Sequence, residues 1–168
     1  MFFDKKNKVK MRSKIMKTVK KLVAAVLVTA MALSLAACGG SKVKKISADD
    51  FKSKLEKEGY TVMETEGDEG VKTAMMAYNS DMSVMLTYSL FESKDDAKKN
   101  FDNFKDGAEE AKKSGEIEKL STSSSKITAD GGESGYVVVA YAEDMIIMAT
   151  SLSGDADAVK SVCKTLGI

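Results

Sequence analysis

Apolar and polar residues alternate along residues 82–90, MSVMLTYSL. Because successive side chains of a strand point to opposite faces, this period of two predicts a β-strand with one buried face. The apolar set on that face is Met82, Val84, Leu86, Tyr88 and Leu90. Polar turn residues precede the strand, and GYTVMET lies further upstream, so we expect a hairpin with a third strand ahead of it.

The same pattern recurs later in the chain. AYNSDMSVMLT begins at Ala77 and AYAEDMIIMAT at Ala140, an offset of 140 − 77 = 63 residues, and they share Ala, Tyr, Asp, Met, Met and Thr at matching positions. A glycine-bounded turn precedes each copy and a helical pattern follows each. We therefore expect two βββ repeats, within about residues 60–113 and 123–168, with STSSSK at 121–126 as an exposed linker.

Three segments carry the apolar stripe and the start signal of an amphipathic helix. Ser47 and Ser93 each stand three residues before an aspartate, the acidic form of a capping box, and Asp155 or Ser153 would cap the third helix. The stripes are Phe51 and Leu55, then Ala97, Phe101, Phe104, Ala108 and Ala111, then Val159, Val162, Cys163 and Leu166. On this pattern Cys163 is a buried core residue.

These elements predict a single α+β domain over residues 46–168. The expected order is α-βββ-α-βββ-α, an antiparallel sheet built from two βββ repeats, with the three helices on one face. No proline interrupts any of these segments.

The N-terminal residues follow a different pattern. Residues 22–37 form an apolar run that only one threonine and one serine interrupt, and lysines precede it. A membrane-spanning helix needs about 20 apolar residues, whereas the apolar region of an export signal uses roughly 7–15. We therefore predict that residues 1–37 are a removable signal peptide, with Met16 as the expected translation start and Met11 as a second candidate.

Leu35-Ala36-Ala37-Cys38 ends this run, and two glycines follow. The motif resembles the lipobox of bacterial lipoproteins, in which the cysteine sulfur receives a diacylglycerol before cleavage on its N-terminal side. This resemblance implies that Cys38 is the first mature residue and anchors the protein to the extracytoplasmic side of the cell membrane. Residues 38–45 would then be the lipidated cysteine and a short linker. An uncleaved transmembrane helix is the alternative.

Removal of the leader changes the net charge of the protein. The chain has 26 basic and 25 acidic residues, and residues 1–37 contain nine of the basic and one of the acidic ones. The mature part therefore has 26 − 9 = 17 basic and 25 − 1 = 24 acidic residues, a net charge of −7. Such a domain is a poor partner for nucleic acid. Lys42, Lys44 and Lys45 follow the anchor and are candidates for contact with anionic headgroups, a solvated spacer being the alternative.

The plan of the whole chain also carries a resemblance. A lipobox, a short linker, FKSKLEKEGYTV and paired sheet units around FESKDDAKKNFDNFK are similar to small uncharacterised lipoproteins of low-GC Gram-positive bacteria. The resemblance implies a lipid-anchored envelope protein, and it assigns a defined role only to residues 35–38.

No motif points to catalysis, and we expect a protein that is not an enzyme and has no cofactor. The chain contains no histidine that could act as a base for Cys163. Ser-x-x-Lys spacings begin at Ser123 and Ser161, but the companion motifs of the acyl-transfer enzymes that use this spacing are missing.

Methionine pairs raise the hypothesis of a copper site, because thioethers bind copper. Met82 and Met85 are three residues apart, and so are Met145 and Met148. Residues three apart in a strand point to opposite faces, so neither pair can share an ion and no metal site is expected.

The repeated residues on the other side of the hairpins give the functional prediction. The candidate binding surface is Tyr78, Met85, Tyr141 and Met148. An apolar, aromatic patch of this kind is typical of contacts with peptide, lipid or protein, and a second core layer or a homodimer seam is the alternative. We predict a membrane-anchored, non-catalytic binding or interaction module whose partner is an unknown envelope protein. The alternatives are a lipoprotein that captures a small molecule or peptide and, more distantly, a hydrolase.

Overall fold

The computed structural model of the chain describes residues 42–168. The predicted signal peptide, the lipobox and Cys38 lie outside these residues. The elements in chain order are α1 (Ala48–Lys57), β1 (Thr61–Thr65), β2 (Val71–Tyr78), β3 (Val84–Phe91), α2 (Lys94–Lys113), β4 (Lys119–Thr122), β5 (Lys126–Asp130), β6 (Tyr136–Ala142), β7 (Met145–Ser151) and α3 (Ala156–Leu166). Within residues 42–168, no helix has the length and apolarity needed to cross a membrane.

The strands form one antiparallel sheet in the order β1-β2-β3-β7-β6-β5-β4. This confirms the α+β class and the order of helices and strand groups expected from the sequence. The sheet also contains β4, which the sequence pattern did not predict. Ser121 and Thr122, expected in an exposed linker, instead pair with Thr128 and Ile127 of β5, so only residues 123–125 are left as the turn.

Helices cover both faces of the sheet, so the expectation of helices on one face was wrong. We call the side covered by α1 and α3 the first face, and the side covered by α2 the second face. The first-face cluster contains Phe51, Leu55, Val159 and Leu166 from the helices and Leu86 and Ile147 from the sheet. The second-face cluster contains Ala97, Phe101, Ala108, Ile127, Val139 and Ile146. The reason is visible in β6 and β7, which are apolar on both sides and therefore need cover on both.

The pairing of β3 with β7 follows the sequence repeat. Leu86 pairs with Ala149, and 149 − 86 = 63 is the repeat offset. The two halves of the sheet are thus related by an approximate twofold axis through this pair. The helices do not obey this twofold relation. The helix after β3, α2, packs on the second face, whereas the helix after β7, α3, packs on the first face.

Side-chain caps begin all three helices, as predicted. The Ser47 hydroxyl accepts a hydrogen bond from the Asp50 N–H at 3.0 Å, and the Ser93 hydroxyl accepts one from the Asp96 N–H at 3.1 Å. Asp155, rather than Ser153, caps α3 by accepting from a backbone N–H at 3.0 Å.

The segment before α1 is held against the first face. Val43 and Ile46 pack on the first-face cluster, and the Tyr88 hydroxyl donates to the Ile46 carbonyl at 3.2 Å. The Lys45 ammonium lies 2.5 Å from a carboxylate oxygen of Asp144, in the turn between β6 and β7. Lys45 therefore forms an ion pair within the domain, whereas the sequence suggested it as a candidate for contact with anionic headgroups. The chain that comes from Cys38 joins the domain at this end of the sheet.

Candidate binding surface

The structure places all four predicted surface residues on the second face. Tyr78 of β2 pairs directly with Met85 of β3, whereas Tyr141 of β6 and Met148 of β7 lie in the other half of the sheet. The two pairs correspond in the sequence repeat, since 78 + 63 = 141 and 85 + 63 = 148. The pairing of the second hairpin is shifted by two residues, so Tyr141 lies opposite Ile146 rather than Met148. The four residues therefore lie in two separate places on the second face rather than in one continuous patch.

Tyr141 and Met148 lie beneath α2. The Tyr141 ring stacks on Phe101 with 5.1 Å between ring centroids and 24° between ring planes. Both residues are half-buried and pack against the second-face cluster. Their surroundings are those of a core layer, which was the alternative for these positions.

None of the helices within residues 42–168 packs over Tyr78 and Met85. They lie beside Met76 of β2 and Met63 of β1, which pair with each other. Met63 is 44% exposed, the other three are half-buried, and none of the four belongs to either hydrophobic cluster of the described residues. We call Met63, Met76, Tyr78 and Met85 the methionine face.

Sequence reasoning missed Met63 and Met76 because neither belongs to the repeated motif. Met63 lies in GYTVMET, which the sequence predicts as a third strand without indicating its pairing. The register of β1 on β2 sets it opposite Met76, and this register cannot be read from the alternation of either strand alone.

The surface around the methionine face carries no charge. Its nine positions on β1, β2 and β3, read from the strand pairing, are Thr61, Met63, Thr65, Ala74, Met76, Tyr78, Met85, Thr87 and Ser89. The part of the first face formed by β4 and β5, at the other edge of the sheet, shows the opposite composition: Lys119, Ser121, Lys126, Thr128 and Asp130. Open faces and edge strands are usually polar and protected by charge, so the methionine face is the exceptional one.

A groove lies on the first face between α3, β5, β6 and Val43, with a volume of about 430 Å³. Lys126, Lys160 and Lys164 line it, and Tyr136 and Val138 contribute to its apolar lining. We call it the basic groove. No sequence pattern indicates the basic groove, because its lysines come from two elements that are far apart in the chain.

Cys163 also borders the basic groove, but it belongs to the core. Its side chain is 3% exposed, which confirms the predicted burial, and burial raises the pKa of its thiol to about 11. A thiol in this state is a poor nucleophile at neutral pH.

The serines with Ser-x-x-Lys spacing occupy structural or open positions. The Ser123 hydroxyl accepts a hydrogen bond from the Lys126 N–H at 2.9 Å and so closes the turn between β4 and β5. Ser161 lies on the exposed side of α3. Met145 is buried on the first face and Met148 lies on the second, so this pair diverges as the strand geometry requires.

Comparison of the chain with protein-family models, with curated proteins and with solved structures finds no match.

Proposed function

We propose that the protein is a lipid-anchored, extracytoplasmic binding module. Diacylglycerol on Cys38 holds it in the cell membrane, and the methionine face binds an amphipathic helix of another envelope protein. The protein acts by binding alone, without catalysis.

One observation carries this proposal: the surface equivalent to the methionine face is covered by a helix. The twofold axis matches Met85 with Met148, and the strand pairing then matches Tyr78, Met76 and Met63 with Val139, Val137 and Ala129. Val137, Val139 and Met148 pack in the second-face cluster beneath α2, and Ala129 is buried. The first repeat presents a similar apolar surface, and no helix of residues 42–168 covers it.

The contacts of α2 indicate the chemistry of the helix that would fit. Ala97 and Ala108 let α2 approach the sheet closely, and Phe101 fills the space above Tyr141. A partner helix with an aromatic residue between small residues would make the same contacts with Tyr78. The flexible thioethers of the methionine face can adapt to such a helix.

The size of the surface favours a helix over a second copy of the domain. Strands lie about 4.8 Å apart and residues on one face about 6.8 Å apart, so nine positions cover roughly 300 Å². A stable protein interface buries about 800 Å² on each partner. One or two turns of a helix match the smaller area, whereas a lasting dimer needs more.

The place of the surface in the fold supports access from outside the membrane. The chain from Cys38 joins the domain near Met145, the first residue of β7. Met85 pairs with Thr150, which is five residues further along this strand or roughly 17 Å away. Tyr78 and Met85 therefore lie towards the end of the sheet that is remote from the anchor.

The helix proposal can be tested with a peptide of residues 94–113, since α2 covers the equivalent surface. With methionine methyl groups labelled for NMR, the peptide should shift the signals of Met63, Met76 and Met85. The signals of Met75 and Met145, buried on the first face, should stay in place. A control peptide with Phe101→Ala should bind less. Shifts at the buried methionines alone, or equal shifts with both peptides, would contradict the proposal.

The anchor requires a separate test. Growth with an inhibitor of signal peptidase II should leave a larger precursor, and Cys38→Ser should release the protein from the membrane. A Cys38→Ser protein that still carries diacylglycerol would refute the anchoring.

A further inference from the structure

We propose that the basic groove binds the headgroup of an anionic phospholipid, so that the domain docks on the membrane through its first face. This inference rests on the proposed anchor at Cys38, because the anchor supplies the membrane. It assigns a second binding site, separate from the methionine face.

The basic groove is positively charged. Lys126 enters from β5, and Lys160 and Lys164 enter from neighbouring turns of α3. Within residues 42–168, neither Lys126 nor Lys164 forms an ion pair with a carboxylate, whereas Lys160 lies 3.1 Å from Asp157. The groove thus holds two ammonium groups without a counter-ion, although the mature protein as a whole is acidic.

The neighbouring acids do not neutralise these groups. Asp130 accepts a hydrogen bond from the Gly132 N–H at 3.0 Å and pairs with Lys119 at 3.8 Å. Asp157 is occupied by Lys160. Ile168, the last residue of the chain, also lines the groove, but its terminal carboxylate forms no ion pair with either lysine. Lys126 and Lys164 can therefore bind an external anion, and a phosphodiester matches the point charge of an ammonium group.

The lining of the groove suits a lipid better than a small hydrophilic anion. Tyr136 and Val138 supply apolar surface, and the Lys160 ammonium lies 5.5 Å from the centre of the Tyr136 ring. Tyrosines combine an apolar ring with a polar tip and are enriched at membrane interfaces. Glycerol and the first acyl carbons would contact this surface while the phosphate meets the lysines.

The length of chain between the anchor and the groove places the groove at the membrane. Val43 borders the groove, and 43 − 38 = 5 residues separate it from Cys38. Five extended residues span at most about 17 Å, so a lipid-anchored Cys38 keeps the groove close to the headgroups. Lys42 and Lys44 are exposed in the same segment and add to the local positive charge.

The test uses the mature lipidated protein in vesicles of phosphatidylcholine, with and without phosphatidylglycerol. An amine-reactive label, followed by mass spectrometry, reports the accessibility of each lysine. We expect Lys126 and Lys164 to be labelled roughly fivefold more slowly when phosphatidylglycerol is present. This factor corresponds to an attraction of about 1 kcal/mol between one lysine and the anionic headgroups. Lys99 and Lys105 on α2 should be labelled equally in both vesicles, and high salt should remove the protection.

Variants make the test specific. Phosphatidylglycerol should also protect Lys160 from labelling in the unsubstituted protein. This protection of Lys160 should be lost in K126Q/K164Q and kept in the matched variant K99Q/K105Q. Equal labelling of Lys126 in both vesicles would overturn the proposal, and so would the same protection by inorganic phosphate with phosphatidylcholine vesicles. Flotation of the protein with both vesicles reports the anchor independently, so failure of the groove and failure of the anchor give different results.

Discussion

Two tyrosines at matching positions of the sequence repeat should differ strongly in their response to the same substitution. Tyr141 is half-buried beneath α2 and stacks on Phe101 at 5.1 Å, whereas Tyr78 lies outside both clusters. Truncation of a fully buried aromatic residue costs about 3–5 kcal/mol, and an aromatic pair contributes about 0.5–1.5 kcal/mol beyond its burial. For the half-buried Tyr141, Tyr141→Ala should therefore lower the free energy of unfolding by about 2–3 kcal/mol. Tyr78→Ala should lower it by less than about 1 kcal/mol.

Urea unfolding followed by circular dichroism, on the chain without its leader, measures both values. The midpoint of thermal unfolding should fall by roughly 4 °C for each kcal/mol, so the two variants are well separated. The unfolding slope in urea should not change, since both variants unfold the same domain. If Tyr78→Ala destabilised the domain as much as Tyr141→Ala, the methionine face would be part of the core and the proposed binding site would be refuted.

Three further predictions concern stability and reactivity. Ser93→Ala should lower the free energy of unfolding by about 1 kcal/mol because it removes the cap of α2. Asparagine can also cap a helix, so a Ser93→Asn variant that is no more stable than Ser93→Ala would contradict this prediction. The hydrogen bond from Lys45 lowers the pKa of Asp144, so its stabilisation is present above the ordinary carboxyl pKa and is lost as the pH falls through the lowered value. Asp144→Asn should thus cost on the order of 1 kcal/mol at neutral pH and nothing in strong acid, and a cost that persists in acid would exclude the ion pair as its cause. With a pKa of about 11, Cys163 should react with iodoacetamide at pH 8 roughly 200-fold more slowly than in the unfolded chain, and equal rates would show that it is exposed.

Much of the fold could be predicted because local patterns determine it. The alternation in β3, the capping serines at residues 47 and 93 and the apolar stripe around Cys163 each involve residues close in sequence. Met82, expected on the buried face of this strand, was the exception, since it lies in the turn before β3 with a positive φ and is 59% exposed. Such signals specify the elements and their order. The α+β class follows from that order.

The side of the sheet on which each helix packs could not be predicted in the same way. Two residues, Glu92 and Ser93, lead from β3 to α2, and four, residues 152–155, lead from β7 to α3, and the two helices pack on opposite faces. The signal that was available is the double-sided apolarity of β6 and β7, which requires cover on both faces. β4 was missed because a short edge strand rich in serine and threonine resembles a linker.

The candidate sites show the same limit. Tyr78 and Met85 were predicted from the repeat, but the repeat could not show that α2 covers only their counterparts, Tyr141 and Met148. The basic groove depends on the packing of α3 against β5 and β6, which brings together lysines that are over thirty positions apart, since 160 − 126 = 34. Neither the position of α2 over the sheet nor the packing of α3 against β5 and β6 is indicated by residues close in sequence.

Crosslinking in intact cells tests the central claim most directly. A photoreactive amino acid at position 76 reports contacts of the methionine face, and one at position 99 reports contacts on the exposed side of α2. The account predicts that position 76 crosslinks to a helical segment of an envelope protein, mapped by mass spectrometry to residues with aromatic and small side chains, and that Met85→Glu abolishes the adduct. Adducts that form equally at both positions, that survive Met85→Glu, or that join position 76 only to a second copy of the chain would contradict it.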